Sequence, residues 1–255
     1  MNKLFVRQIF VDGDIPQENY ISRLPVVKSL AKKPVTFEKP VTFFVGENGI
    51  GKSTLIEALA VAMGFNAEGG SRNFCFSTED SHSVLSEYLT VAKGPVISKD
   101  GYFLRAESFY NVASNIDQLD RQPCGAPFIV DGYGGVSLHK QSHGESFMAL
   151  VENRFSGDGI YILDEPEAAL SPMRLLRLMS NIKTLVDKNS QFIISTHSPI
   201  LMAFPDADIL EIKGDSIKST PLEKTEHFRV TKNFLDNPER TFKYLFVLLS
   251  TRRCA

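Results

Sequence analysis

Val41-Thr42-Phe43-Phe44-Val45, followed directly by Gly46-Glu47-Asn48-Gly49-Ile50-Gly51-Lys52-Ser53-Thr54, decides how this chain is read. The first five residues are a nearly continuous apolar run, the pattern of a short strand buried on both faces. Gly46 to Ser53 matches G-x-x-x-x-G-K-[ST], the phosphate-binding loop. Its glycines let backbone N–H groups turn inward around phosphate oxygens, and the helix that follows presents its positive end. That helix is expected over Ser53–Met63, with Leu55, Ile56, Leu59 and Met63 on one side. Lys52 is placed to reach β- and γ-phosphates and Ser53 to ligate Mg²⁺. The whole stretch Gly46 to Thr54 is the candidate nucleotide-binding segment. A Gly-rich turn of purely structural role competes with this reading, but the strand before it and the helix after it are the context a phosphate loop requires.

Working outward, other strands also end in polar side chains. Ile160-Tyr161-Ile162-Leu163 runs into Asp164-Glu165. Alone this is a commonplace strand exit. Beside a phosphate loop, the first acid is placed to hold Mg²⁺ through water and the second to polarise an attacking water. Phe192-Ile193-Ile194 runs into Ser195-Thr196-His197. A lone histidine is more often structural, yet at the C-terminal end of a parallel strand it faces the crevice where open α/β sheets bind ligands. A γ-phosphate contact is therefore expected of His197. Ser142-His143-Gly144-Glu145-Ser146 precedes an apolar stretch with Phe147, Leu150 and Val151, and reads as a capped helix start. A helix start is also an anion site, so both readings stand together.

The remaining chain gives coarser signals. Leu4–Val11 and Gly101–Arg105 have strand character, residues 66–80 read as loop, and Ser81–Val91 as a helix. Gln122–Gly135 is rich in Gly and Pro and reads as a mobile loop. Ser171-Pro172 opens a helix carrying Leu175, Leu176, Met179, Ile182 and Leu185 at helical spacing. Ile209–Ile217 reads as a hairpin turning at Gly214-Asp215, and the rest as helical. Strands alternating with helices imply a mostly parallel sheet covered on both faces.

Composition bounds the possibilities. The chain has 255 residues, 28 basic and 30 acidic, a net charge of −2, with 43% hydrophobic and 23% charged residues. That suits a folded α/β domain and argues against disorder or a chain basic all over. The charge is uneven: Lys213–Ala255 holds 9 basic and 5 acidic residues, which reads as a solvated basic tail or a local nucleic-acid patch. No apolar run approaches the roughly 20 residues of a membrane helix. Met1–Arg7 begins like a targeting segment, but Arg7, Asp12 and Asp14 break it. Cys75, Cys124 and Cys254 show no metal-ligand spacing, which points to a reduced, cytoplasmic setting.

The motifs, in this order, resemble the ATP-binding-cassette (ABC) superfamily, in the branch of AAA-family ATPases related to SMC, RecF and the double-strand-break-repair ATPases. Gly46–Ser53 matches Walker A, and Leu163-Asp164-Glu165-Pro166 matches Walker B. Ser142-His143-Gly144-Glu145 resembles the signature motif, and Ala168-Ala169-Leu170-Ser171 sits where the D-loop lies. Ser195-Thr196-His197-Ser198-Pro199 matches the switch-histidine segment. The resemblance covers roughly residues 40–215. Asn66–Phe74, Phe103–Phe109 and Gln141–Leu150 further resemble a group of compact bacterial ATPases. It implies one α/β P-loop NTPase domain over 1–255, with a mostly parallel sheet, flanking helices and an antiparallel β portion. A helical signature subdomain would occupy about 80–155, and C-terminal helices 220–255. Implied activity is Mg²⁺-dependent ATP hydrolysis with Lys52, Glu165 and His197 catalytic, and with Ser53, Asp164 and the Q-loop candidate Glu107 at the metal. Two copies would sandwich two ATP molecules, Ser142, His143, Gly144 and Glu145 of one facing the nucleotide of the other.

This chain departs from that pattern in three places. His143 replaces the first signature Gly, Ser171 replaces the D-loop Asp, and no clear Q-loop Gln is present; the adenine platform is unassigned, Tyr20 being one candidate. Alternatives to a soluble ATP-driven switch are the nucleotide-binding subunit of a membrane transporter and a DNA-handling or defence-associated ATPase. The 88 residues between Ser53 and Ser142 carry no sustained heptads, so no coiled-coil tether is expected. A separately encoded effector protein is a further expected partner.

Overall fold

The computed structural model describes residues 4–72, 83–106, 109–121 and 128–251. In chain order its elements are β1 (Val6–Val11), α1 (Pro25–Lys32), β2 (Val35–Thr36), β3 (Val41–Val45), α2 (Lys52–Ala62), α3 (Leu85–Tyr88) and β4 (Leu89–Lys93). There follow β5 (Asp100–Arg105), α4 (Phe109–Asp120), α5 (His143–Arg154), β6 (Gly159–Asp164), α6 (Pro172–Asp187), β7 (Gln191–Ser195) and α7 (Pro199–Met202). The chain ends in the hairpin β8 (Asp208–Lys213) and β9 (Ser216–Ser219), then α8 (Glu226–Asp236) and α9 (Pro238–Thr251). The main sheet has six strands in the order β5-β6-β7-β3-β8-β9, parallel from β5 to β8 with β9 antiparallel at the edge. A second, antiparallel sheet has the order β2-β1-β4.

The apolar runs take the centre of the main sheet because each has two buried faces. Phe43, Val45, Tyr161, Leu163, Phe192 and Ile194 face one core, with α5, α6 and α7. Phe44, Ile160, Ile162 and Ile193 face the other, with α1, α2 and the antiparallel sheet. Alternation every second residue divides each strand between these cores. Gln191, fully buried, joins the two sheets: its carbonyl accepts from the N–H groups of Phe5 and Val6 at 2.8 and 2.9 Å, and its amide donates to the Val6 carbonyl at 2.9 Å.

Two expectations change here. Of the helix read over Ser81–Val91, residues 81–82 lie outside the described residues and the rest holds a single turn, α3, followed by strand β4; Leu89, Thr90 and Val91 pair with Val11, Phe10 and Ile9 of β1, so tertiary pairing overrides the local pattern. Of the Gln122–Gly135 loop, residues 122–127 lie outside the described residues, while Ile129–Tyr133 forms a 3₁₀ turn capped by Asp120, with Tyr133 buried. The phosphate-loop helix spans Lys52–Ala62, within a residue of its expected bounds. The hairpin turns at Gly214-Asp215 as expected. Among the described residues, no helix is long and apolar enough to cross a membrane. Helices α8 and α9 leave Val230, Leu235, Tyr244 and Phe246 exposed.

Candidate functional site

Strand register assembles the site. Asp164 lies opposite both Arg105 and Ser195, and Ser195 lies opposite Phe44, so β5, β6, β7 and β3 end along one line. Gly46–Gly51 leaves β3 at that edge and enters α2. Gly51 takes φ +98°, and a Cβ there would stand 2.6 Å from the Val26 side chain, so only glycine fits this turn. The loop is tied to α1 by Val26 N–H donating to the Ile50 carbonyl at 3.3 Å. Lys52 is buried, and its Nζ donates to the carbonyls of Gly46 and Glu47 at 2.9 and 3.0 Å. Its ammonium therefore sits under the loop, where burial lowers its pKa while Glu165, Asp164 and Glu167 oppose that shift.

The carboxylates differ in their surroundings. Asp164 is buried and accepts a hydrogen bond from the Ser195 hydroxyl; Arg105 Nε stands 3.5 Å from its other oxygen. Burial raises its pKa, and Ser195, Arg105 and Ser53 pull it back down. Arg105 is itself held by Glu57 of α2 at 2.7 Å. Glu165 takes a left-handed backbone, φ +47°, with its N–H donating to the Ser195 carbonyl at 3.1 Å. A non-glycine residue in that region stores strain of about 1–3 kcal/mol, and such strain clusters where a side chain must be aimed. Glu167 accepts from the His197 N–H, and burial raises its pKa.

His197 lies between Glu165 and an unexpected neighbour. Its Nε2 is 3.4 Å from Glu165 Oε1, and its Nδ1 is 2.9 Å from Nε2 of His227 on α8. Burial first, then the Lys52 ammonium and His227, lowers the His197 pKa from 6.5 to about 4. Acidification from about pH 6.5 towards 4 then protonates the ring in the unfolded chain before the native ring, so stability present above that range is lost as the pH falls. Asp164 and Glu167, with raised pKa, act the opposite way, so a variant isolates the ring. The unfolding temperature should fall more steeply over this range in the parent than in His197→Gln; equal slopes would contradict a neutral, desolvated His197.

The signature-like segment is a capped helix start. The Glu145 carboxylate accepts both the Ser142 N–H at 3.0 Å and the Ser142 hydroxyl at 2.6 Å, and pairs with Arg174 of α6 at 3.3 Å. A Cβ on Gly144 would run into Arg174 and the Ala169 carbonyl, so close packing on the Ala168–Ser171 segment requires glycine there. His143 is exposed beside it. Glu107 lies outside the described residues, as do Cys75, Cys124 and Cys254. Arg105, Glu57 and His227 were not singled out by sequence; their partners lie 48 to 59, 48 and 30 positions away, and no local motif marks them.

The residues suit a hard cation shared with phosphate. Among the described residues, no three His, Cys, Asp or Glu side chains form a metal cage. Asp164 and the Ser53 hydroxyl supply oxygens at the loop, the donor type of Mg²⁺ sites completed by phosphate and water.

Residues 26–107 match the family model "AAA domain", and residues 138–203 match "AAA domain, putative AbiEii toxin, Type IV TA system". Ribose import ATP-binding protein RbsA of Yersinia pestis is 29% identical over 179 residues, covering 63% of this chain and 34% of that protein. Guanosine import ATP-binding protein NupO of Bacillus subtilis is 24% identical over 172 residues, covering 58% of this chain and 31% of that protein. The chain thus spans about a third of the length of these relatives. A metal-chelate type ABC transporter in an inward-facing conformation superposes with a TM-score of 0.50 at 14% identity, over 91% of this chain and 88% of that one, a likeness of fold. Lys52 falls inside one matched AAA segment and Asp164, Glu165 and His197 inside the other, and the matched models and ATP-binding relatives support an ATPase of the ABC superfamily, similar to its AAA-domain branch.

Proposed function

We propose that this chain is a Mg²⁺-dependent ATPase whose two copies close around two ATP molecules and open after hydrolysis. The observation that carries the reading is the convergence of Lys52, Asp164, Glu165 and His197 at adjoining strand ends. Amides of Gly46, Glu47, Asn48, Gly49, Ile50 and Gly51 cradle the phosphates, Thr54 extends that surface, and Lys52 reaches the β- and γ-phosphates. Ser53 and Asp164 hold Mg²⁺, which neutralises charge on the phosphate oxygens when bound. Glu165 takes a proton from the attacking water, whose oxygen bonds to the γ-phosphorus as the β–γ bridging P–O bond breaks, giving ADP and phosphate. His197 donates to the γ-phosphate.

Ser142, His143, Gly144 and Glu145 of the partner copy complete the site, after Ser142 exchanges its contact with Glu145 for phosphate. Closure driven by γ-phosphate contacts from both sides gives ATP a higher affinity for the closed state, as a switch requires. In light scattering, Glu165→Gln with ATP should run at twice the 28.4 kDa chain mass, and at one chain mass without ATP. A monomer in both conditions would overturn the dimer. A transporter subunit is the second reading, favoured by the import ATP-binding relatives; it requires co-purification with a membrane-spanning partner, whereas the switch reading places its effector among non-membrane proteins. The basic C-terminal segment supports a DNA contact, which a salt-sensitive filter-binding signal would report.

A further inference from the structure

The second histidine, His227, lies beyond both matched family segments, yet it meets the site directly. It stands in the first turn of α8, whose N-cap Thr225 is fully buried and donates its hydroxyl to the Leu222 carbonyl at 2.7 Å. That anchor fixes where the ring can reach. The two rings lie 5.0 Å apart at 59°, with His227 Nε2 and His197 Nδ1 at 2.9 Å. Between neutral imidazoles this contact holds one proton, so one ring donates and the other accepts.

Two features decide which. Were His197 the donor, its Nε2 would turn a lone pair towards Glu165 Oε1 at 3.4 Å, acceptor against acceptor. The far nitrogen of His227, Nδ1, is buried and has no hydrogen-bond partner among the described residues. A bare acceptor is tolerated there better than an orphaned N–H. Both features put the proton of the contact on His227 Nε2. His197 then carries its own proton on Nε2, buried and facing the acceptor Glu165 Oε1 at 3.4 Å, beyond hydrogen-bond geometry among the described residues.

We infer that His227 is a positioning residue that donates from Nε2 to His197 Nδ1 and so fixes His197 as the Nε2–H donor for the terminal phosphate. The inference rests on the ATPase reading for its phosphate, but not for the tautomer. Through this contact helix α8 reaches the proposed catalytic centre, so displacement of α8 withdraws the donor.

The test separates the two claims. In nucleotide-free protein labelled with ¹⁵N-histidine, long-range proton–nitrogen spectra should show both rings neutral and protonated on Nε2. Protonation of His197 on Nδ1 would overturn the inference without touching the ATPase reading. His227→Leu removes the donor and should let His197 sample both tautomers, with kcat down about tenfold and KM for ATP changed less than twofold. His227→Gln, whose side-chain amide reaches the same position, should keep kcat within about threefold of the parent. In a His197→Ala background, His227→Leu should cost nothing further. A glutamine variant as slow as the leucine variant, or a leucine variant as fast as the parent, would overturn it. An inactive parent with the expected tautomers would instead sink the ATPase reading alone.

Discussion

Lys52→Ala should weaken ATP binding by about 10²-fold or more and abolish turnover, because in the proposed site it deletes a charge-assisted contact to two phosphates. The side chain also organises the loop before nucleotide arrives, since its ammonium holds the Gly46 and Glu47 carbonyls together from beneath. The variant loses both the preformed cradle and the cation, so added ATP cannot restore the rate. The fold should survive, because α2 keeps Leu55, Ile56 and Leu59 in the core. Titration calorimetry with ATP, with circular dichroism to verify folding, checks this. Full turnover by the variant would refute the phosphate-loop assignment.

Glu165→Gln should behave in the opposite manner, holding ATP while turnover falls by about 10²–10⁴-fold, the range of a lost general base. Glutamine matches the shape of glutamate, and the left-handed turn at residue 165 is held through its own N–H by Ser195, not by the carboxylate. The phosphate loop is untouched. A defect confined to kcat, with ATP affinity kept within severalfold, marks an interaction made only as the water attacks. If affinity and turnover fall together, Glu165 is a binding residue instead.

The legible parts of this fold share one physical cause. Val41–Val45, Ile160–Leu163 and Phe192–Ile194 are buried on both faces, so they stand out as unbroken apolar runs, and Lys52, Asp164, Glu165 and His197 stand where those runs end. Strand β4 was hidden because its edges are half-exposed and its partner β1 lies some 80 residues earlier. Gln191, the bolt between two sheets, carries no local signal because its partners Phe5 and Val6 lie 186 and 185 positions away. Distance in sequence also concealed Arg105 bridging Glu57 and Asp164, and His227 meeting His197. Gly144 was legible as part of a motif, but its packing against Arg174 and Ala169 was not.

The most direct test of the account is a single-turnover assay with γ-labelled ATP and Mg²⁺ on purified parent and Glu165→Gln protein. The account predicts labelled phosphate from the parent and intact, protein-bound ATP on the variant over the same interval. Equal phosphate release from both, or none from the parent while ATP is bound, would contradict it.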